Sequence, residues 1–270
     1  EDGFEMAHHV DFFLSNHHRV ERVVTASAMM EDRLLDWGVP REKLVRVPLG
    51  VDTGIFRPPS KAERIAARRR FGIPDGALCI GSFQKDGVGW GEGLEPKLVK
   101  GPDVFVEAAG RLAREFPVFV LLTGPARGYV KRGLERQGVP FHHFYAPDNH
   151  GVATCYHALD LYLMTSREEG GPLALLESMA SGVPLVSTRT GMAEDVIENG
   201  RNGALTEVDD ISGLVERAGA LLADSSQADA FRRHGLAVAE SHRWDRVAAR
   251  LYDEVYKPLL AEATLSRYQR

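Results

Sequence analysis

Two cysteines stand in a chain of 270 residues, too few for a disulfide framework. Cys79 falls in a predicted strand and Cys155 in a predicted helix, so both read as small buried thiols of a reducing compartment. No apolar run approaches the roughly 20 residues of a membrane span, and none reads as a signal peptide. An excess of charge is also lacking. Lys and Arg number 33 against 38 Asp and Glu, and the net −5 gives no global field that favours nucleic acid. There is no internal repeat, no low-complexity tract and no Asp-x-Asp pair. The glycines of Gly87-Val-Gly-Trp-Gly91 do not form a dinucleotide fingerprint, because no helix opens there and Pro96 follows. These absences argue against a secreted disulfide scaffold, a membrane-spanning protein and a nucleic-acid binder, and the expected placement is cytoplasmic. The chain begins at Glu1 rather than Met, which points to a fragment or a processed product.

Hydrophobic residues make up 44% of the chain, enough for one large or two modest domains. Strands are predicted at Leu78–Phe83, Val118–Gly124, Phe141–Tyr145, Leu161–Met164, Pro184–Ser187 and Asn202–Val208. Helical patterns lie between them, so residues 77–208 predict a right-handed, doubly wound parallel α/β sheet. Ahead of it, a helix leads to Val23-Val24-Thr25, Ser27–Trp37 reads as a helix, and Leu44–Pro48 as a strand. The segment 48–59 is punctuated by Pro and Gly and reads as a linker, with Asp52 a turn residue. The basic helix 61–71 ends in Arg68-Arg69-Arg70, a solvated helix end by default. An anionic membrane surface is the alternative partner for that run, which would put the chain at the inner face of a membrane. The paired histidines His8-His9, His17-His18 and His142-His143 lack ligand spacing.

The chain is organised around Leu161 to Thr188, which reads as strand, loop, helix, tight turn and strand. Pro172 suits a first helical turn, and Gly182 can end the helix Leu173–Ala180. Glu169 lies in the loop at the carboxyl end of the strand, and Glu177 eight residues on, inside the helix. At about 100° per residue, Glu177 falls roughly 40° from Leu173, at the edge of an apolar arc of Leu173, Leu176 and Ala180. A carboxylate there either reaches solvent or accepts hydrogen bonds from a ligand's hydroxyls. Open α/β sheets bind ligands beyond the carboxyl ends of their strands, which favours the second reading.

Glu169-Gly-Gly-Pro-Leu-Ala-Leu-Leu-Glu177, followed by Ser-Met-Ala-Ser-Gly-Val-Pro, resembles the E-x7-E signature of retaining glycosyltransferase family four. The resemblance implies a GT-B architecture of two Rossmann-like domains. It implies domain boundaries at 1–56, the remnant of an acceptor-side domain; 57–243, a nucleotide-sugar donor domain; and 244–270, a helix returning toward the first domain. Trp244, Val247, Ala248, Leu251 and Val255 mark one face of that helix. The implied function is sugar transfer from a nucleotide-diphospho-sugar to a glycan or lipid-linked acceptor, with retention of configuration and no cofactor.

The same resemblance carries the site residues. Lys100-Gly101 matches a Lys-Gly motif whose lysine contacts the donor diphosphate, and Lys100 also stands before a predicted helix N-terminus, a natural anion site. Ser82 stands where the family usually has arginine, and Lys85 is the candidate replacement. Glu169 is assigned to the transferred sugar and, with Lys100, to catalysis. Glu177 is assigned to the ribose, Gly171 and Leu173 to backbone N–H groups, and Tyr145 and Gly124 to the nucleotide. Gly171 replaces an aromatic residue often found there. Thr190-Gly-Met-Ala-Glu194 resembles the family's Gly-x-x-Glu at a helix start. Two other readings are a nucleotide-sugar-binding module without activity and a Rossmann oxidoreductase. A chain with an incomplete first domain would bind donor nucleotide but transfer sugar slowly or not at all, and would leave apolar edges at Val23–Val24 and Leu44–Val47.

Overall fold

A computed structural model describes residues 2–261, with side-chain surroundings from His8 onward. β1 (Val23–Thr25) and β2 (Leu44–Arg46) form a small parallel pair, with Val23 opposite Leu44. The second sheet contains β3 (Leu78–Phe83), β4 (Val118–Thr123), β5 (Phe141–His143), β6 (Leu161–Met164), β7 (Leu185–Thr188) and β8 (Ala204–Thr206). Its order is β5-β4-β3-β6-β7-β8, and every neighbouring pair is parallel. The chain builds outward from β3 to β5, then returns to β6 and builds the other way. The switch point, where such sheets bind ligands, therefore lies between β3 and β6.

The helices are α1 (Asp2–Asn16), α2 (Ala28–Asp36), α3 (Lys61–Arg70), α4 (Pro102–Leu112), α5 (Gly128–Gln137), α6 (Asn149–His157), α7 (Leu173–Ala180), α8 (Ala193–Val196), α9 (Ile211–Ala223), α10 (Ser225–Ser241) and α11 (Trp244–Leu251). β4 shows why both faces of the sheet are covered. Phe119 and Leu121 join the core with Tyr156, Leu176 and Met179. Val118, Val120 and Leu122 point the other way, into the core with Phe105, Val130, Leu134 and Phe231. Helix starts are fixed locally. Ser60 and Glu63 form a reciprocal capping box on α3, and Ser27, Asp148 and Asp210 cap α2, α6 and α9.

The sequence reading needs several corrections. β5 stops at His143, so Tyr145 is an exposed loop residue. Arg68 is not a solvated helix end: it donates to Asp160 and to the carbonyls of Ala158 and Ala77. Arg70 stacks over Phe144 at 4.9 Å. Pro172 is the residue before α7, not its first turn. The buried residues of α7 are Leu175, Leu176, Ser178, Met179 and Ala180, while Leu173 is exposed. A wheel with one buried face misses this because α7 is covered by α10 as well as by the sheet. The β2 edge is also covered. Val47 packs with Val247 and Val255, flanked by Val45 and Leu251, so α11 and the turn after it lie on β2. Val24 remains exposed.

Candidate active site

The carboxyl ends of β3 and β4 and the segment that follows β5 border a cleft of about 290 Å³, with Glu177 of α7 on its wall. Its walls include Phe83, Gln84, Lys85, Gly124, Tyr145 and Glu177. A larger groove of about 480 Å³ lies between α3 and α6, away from the strand ends. Position at the switch point, rather than volume, marks the smaller cleft as the site.

Glu169 and Lys100, far apart in sequence, meet next to Gln84 of the cleft wall. Lys100 Nζ donates to Glu169 Oε1 at 2.6 Å. Ser166 Oγ donates to the same oxygen at 2.8 Å, and Thr190 Oγ1 accepts from the Glu169 N–H at 3.0 Å. Gln84 ties the two strand ends together, donating to the Lys100 carbonyl at 3.0 Å while its own oxygen faces Ser166 Oγ at 3.5 Å. The glycine after Lys100 is obligatory. Gly101 has φ +60°, and a Cβ there would lie 1.9 Å from the Thr165 carbonyl oxygen. Lys100 is thus pressed against the loop that follows β6.

Glu177 lies on the cleft side of α7. Its Oε2 accepts from the Tyr156 hydroxyl at 3.1 Å, and that hydroxyl also donates to the Ala174 carbonyl at 3.3 Å. Burial pushes the Glu177 carboxyl up to about 7, opposed by the Tyr156 hydrogen bond. Tyr156 is itself buried, edge-on to Phe83 at 4.7 Å, and desolvation raises its phenol well above the ordinary range. Glu177 is therefore a half-buried, partly desolvated carboxyl on the cleft wall, with room for a ligand's hydroxyl donors.

Ser82 is not on the cleft surface. It is buried, and its hydroxyl and carbonyl both accept from Arg127, at 3.1 and 2.7 Å. Arg127 also donates to the carbonyls of Gln84 and Thr123, and its Nε lies 3.0 Å from Asp86 Oδ1, both side chains fully buried. Burial pushes the Asp86 carboxyl up and the Arg127 guanidinium down, and the charge of each opposes the shift of the other. This pair fastens the ends of β3 and β4, and the segment 84–99 is a pinned hairpin rather than a free loop. Gly124, with φ +94°, sits 2.7 Å (from an ideal Cβ) from the Gln84 carbonyl, so only glycine passes there. His143 Nε2 meets the Gly124 carbonyl at 2.8 Å, and burial lowers its pKa.

Gly171 faces the N-terminal elements: a Cβ on it would lie 2.7 Å from Leu49 Cδ1 and 3.2 Å from Ala26 Cβ. The exposed Leu173 opens α7 just beyond it. Asp52 is a turn residue, as read, accepting from the N–H groups of Gly54 and Ile55. Cys79 and Cys155 are free and buried, and burial raises both thiols, Cys155 to about 12. Among the described residues no three His, Cys, Asp or Glu side chains gather as a metal site, and no helix is long and apolar enough to cross a membrane. The sequence reading missed Gln84, Asp86, Arg127, Tyr156 and Ser166. For Gln84 and Ser166 a signal existed, since they stand one and two residues beyond the carboxyl ends of β3 and β6.

Comparison with known proteins agrees with this fold. Residues 91–224 match the family described as glycosyl transferases group 1. The chain is 30% identical over 268 residues to the D-inositol 3-phosphate glycosyltransferase of Xylanimonas cellulosilytica, covering 93% of this chain and 60% of that protein. It is 26% identical over 221 residues to the lipopolysaccharide core biosynthesis mannosyltransferase LpsB of Rhizobium meliloti, covering 78% and 60%. Among solved structures, Anabaena HepE in complex with UDP and glucose superposes with a TM-score of 0.73 at 20% identity, covering 89% of this chain and 63% of that one. Sucrose-phosphate synthase of Thermosynechococcus elongatus gives 0.75 at 19% identity, covering 93% and 62%. The fold is that of the GT-B glycosyltransferases. Residues 91–224 belong to the glycosyl transferases of group 1, and the chain spans about 60% of the length of the curated relatives named here. A Rossmann oxidoreductase is set aside, since β3 runs into a pinned hairpin and not into a glycine turn opening a helix.

Proposed function

We propose that the cleft binds a nucleotide-diphospho-sugar and that the protein transfers its sugar, with retention of configuration, to a glycan or lipid-linked acceptor. The observation that carries this reading is the Lys100–Glu169 pair at 2.6 Å, together with the half-buried Glu177, at the switch point of a parallel sheet. Departure of a nucleoside diphosphate builds negative charge on its oxygens and positive charge on the sugar. The Lys100 ammonium has three donors and gives one to Glu169, leaving the others for diphosphate oxygens. Lys85, on the wall of the same cleft, adds a second cation. The amide groups of Gly171, just ahead of α7, and Leu173, its first residue, are the further donors in this reading, since helix N-termini favour anions. With these groups the diphosphate is held without a metal. The second Glu169 oxygen is available to sugar hydroxyls, and the Glu177 carboxylate to the ribose.

Relatives differ in what their names say they use, so base, sugar and acceptor are open to experiment. Peripheral contact with the inner face of a membrane belongs to the same proposal, and a lipid-linked acceptor would require it. The test is calorimetric titration with UDP, GDP and their hexose esters, followed by mass analysis of products with candidate acceptors. Binding of one nucleotide family, reduced at least about tenfold by Lys100→Ala, is expected. Failure of every nucleoside diphosphate to bind would overturn the reading.

A further inference from the structure

The hairpin that follows β3 carries a feature the donor site does not use. Trp90 is 80% exposed, at the tip of a segment that is otherwise firmly built. Val88 N–H donates to the Glu95 carbonyl at 2.9 Å, and Lys97 N–H to the Asp86 carbonyl at 2.8 Å, so the two arms pair. The far arm is fixed to α5 and the turn before it: Gly128 and Tyr129 N–H groups donate to the carbonyls of Glu92 and Gly93, both at 2.7 Å. Gly87 and Gly93 pass so close to Ala126 that a Cβ on either would lie within 2.3 Å of its carbonyl oxygen. The buried Asp86–Arg127 pair anchors the base. Nothing comes within 4 Å of a Cβ placed on Gly89 or Gly91, the residues either side of the indole. A rigid mount that holds its largest apolar side chain out in water gains nothing for the fold.

The indole is next to the cleft. Lys85 lines the cleft wall, and its Nζ lies 3.9 Å from the centroid of the Trp90 ring. Among the described residues Lys85 has no carboxylate partner, so the ring face is what its ammonium rests on. A diphosphate in the cleft is a far stronger attractor for an ammonium than a partly hydrated aromatic face. Its arrival would draw Lys85 inward and uncover the indole. The uncovered surface is flat, apolar and edged by polar groups, with Glu92 and Glu95 exposed on the same hairpin. A pyranose ring matches it, because one face of the ring presents C–H groups and its rim presents hydroxyls. The two carboxylates disfavour an anionic bilayer as the occupant.

We propose that Trp90 is a stacking platform for a pyranose ring, and that Lys85 covers it until a diphosphate is bound. This rests on the donor reading above and adds an order to it, nucleotide before sugar contact. The pyranose could belong to the donor or to the acceptor, and the experiment separates the two. UDP, UDP-glucose, GDP and GDP-mannose are titrated by calorimetry into the unaltered chain, Trp90→Ala, Trp90→Phe and Lys85→Ala. Methyl hexopyranosides are then titrated with and without the nucleoside diphosphate that binds, followed by tryptophan fluorescence. If the ring is the donor's, Trp90→Ala weakens the hexose ester about fivefold or more while sparing the free diphosphate, the scale of one stacked ring contact. If it is the acceptor's, Trp90→Ala instead abolishes the hexopyranoside response seen in the presence of diphosphate. In either case Trp90→Phe keeps part of the effect. Diphosphate alone should change the fluorescence of the unaltered chain, and that change should vanish in Trp90→Phe. The proposal is overturned if Trp90→Ala alters neither arm, or weakens free diphosphate as much as its ester, which would mean stacking on the base. If no nucleoside diphosphate binds the unaltered chain, the donor reading falls and this one with it.

Discussion

At the scale of single residues, the site turns on two carboxylates in different surroundings. Glu177 is raised to about 7 by burial, from an ordinary value of 4.5. Because its folded pKa lies above its unfolded one, the folded chain holds the extra proton between those values. Stability should therefore fall as pH rises from about 4.5 to about 7 and then level. Ribose hydroxyls donate best to the ionised form, so nucleotide affinity should climb over the upper part of the same window. Glu177→Gln should flatten both profiles, read by urea denaturation and by calorimetry across pH; an unchanged pH dependence of binding would remove Glu177 from the ribose. Glu169 differs, since Lys100 and Ser166 already supply donors to it. Glu169→Ala frees the Lys100 ammonium, so free nucleoside diphosphate should bind as well or better, while the hexose ester loses its sugar contact. Lys100→Ala should weaken diphosphate about tenfold or more and leave the nucleoside nearly unaffected. Equal losses in both variants with the free diphosphate would refute this division.

At the scale of elements, the site stands on a joint that holds β3, β4 and the hairpin after β3 together. Arg127 supplies four hydrogen bonds to Ser82, Gln84 and Thr123, and an ion pair to Asp86. Arg127→Met leaves a buried carboxylate without its partner, a loss of about 3–5 kcal/mol. Adding Asp86→Asn to it should cost much less than the sum of the two single changes, since the charges are removed together. Urea unfolding of the four chains checks this; strict additivity would mean the two side chains act independently. This joint was not legible in the sequence, because nothing local marks a pairing between Asp86 and Arg127, and the glycines between them suggested a free loop. The strands were legible. Val118–Thr123 and Leu161–Met164 are unbroken apolar runs between Gly, Pro and polar residues, as strands buried on both faces must be. Glu169, Glu177 and Lys100 were placed through their motif, and the structure brings Lys100 and Glu169 into contact. Ser82 turns inward, where its carbonyl and hydroxyl accept from Arg127 just beyond the end of β4, a pairing that a linear motif does not encode.

At the scale of the molecule, the N-terminal elements rest on the same loops that carry the site. Asp195, on α8, accepts from the N–H of Ala28 at 3.0 Å and from Arg46 at 2.8 Å, so a residue of the large sheet's domain completes the start of α2. Arg33 pairs with Glu168, directly beside Glu169. Gly191 N–H meets Met29 Sδ at 3.4 Å, and a Cβ on Gly191 would lie 2.6 Å from the Glu169 carbonyl oxygen. Movement of residues 23–49 must therefore be felt by the Glu169 loop. Two substitutions separate docking from site geometry. Asp195→Ala removes a helix-start acceptor and an ion-pair partner at the seam, a loss of about 1–2 kcal/mol. It should lower Tm by a few degrees in scanning calorimetry while leaving one transition, because α11 still holds β2. Gly171→Ala instead drives a methyl into Leu49 and pushes the Glu169 loop from its seat. It should weaken the hexose ester more than the free diphosphate, for displacing the loop moves Glu169 off the sugar while loosening the Lys100–Glu169 pair leaves the Lys100 ammonium free for the diphosphate. A separate low-temperature transition in Asp195→Ala would show that the N-terminal elements fold on their own. Equal weakening of ester and diphosphate by Gly171→Ala would show that the seam positions the whole cleft rather than the sugar loop.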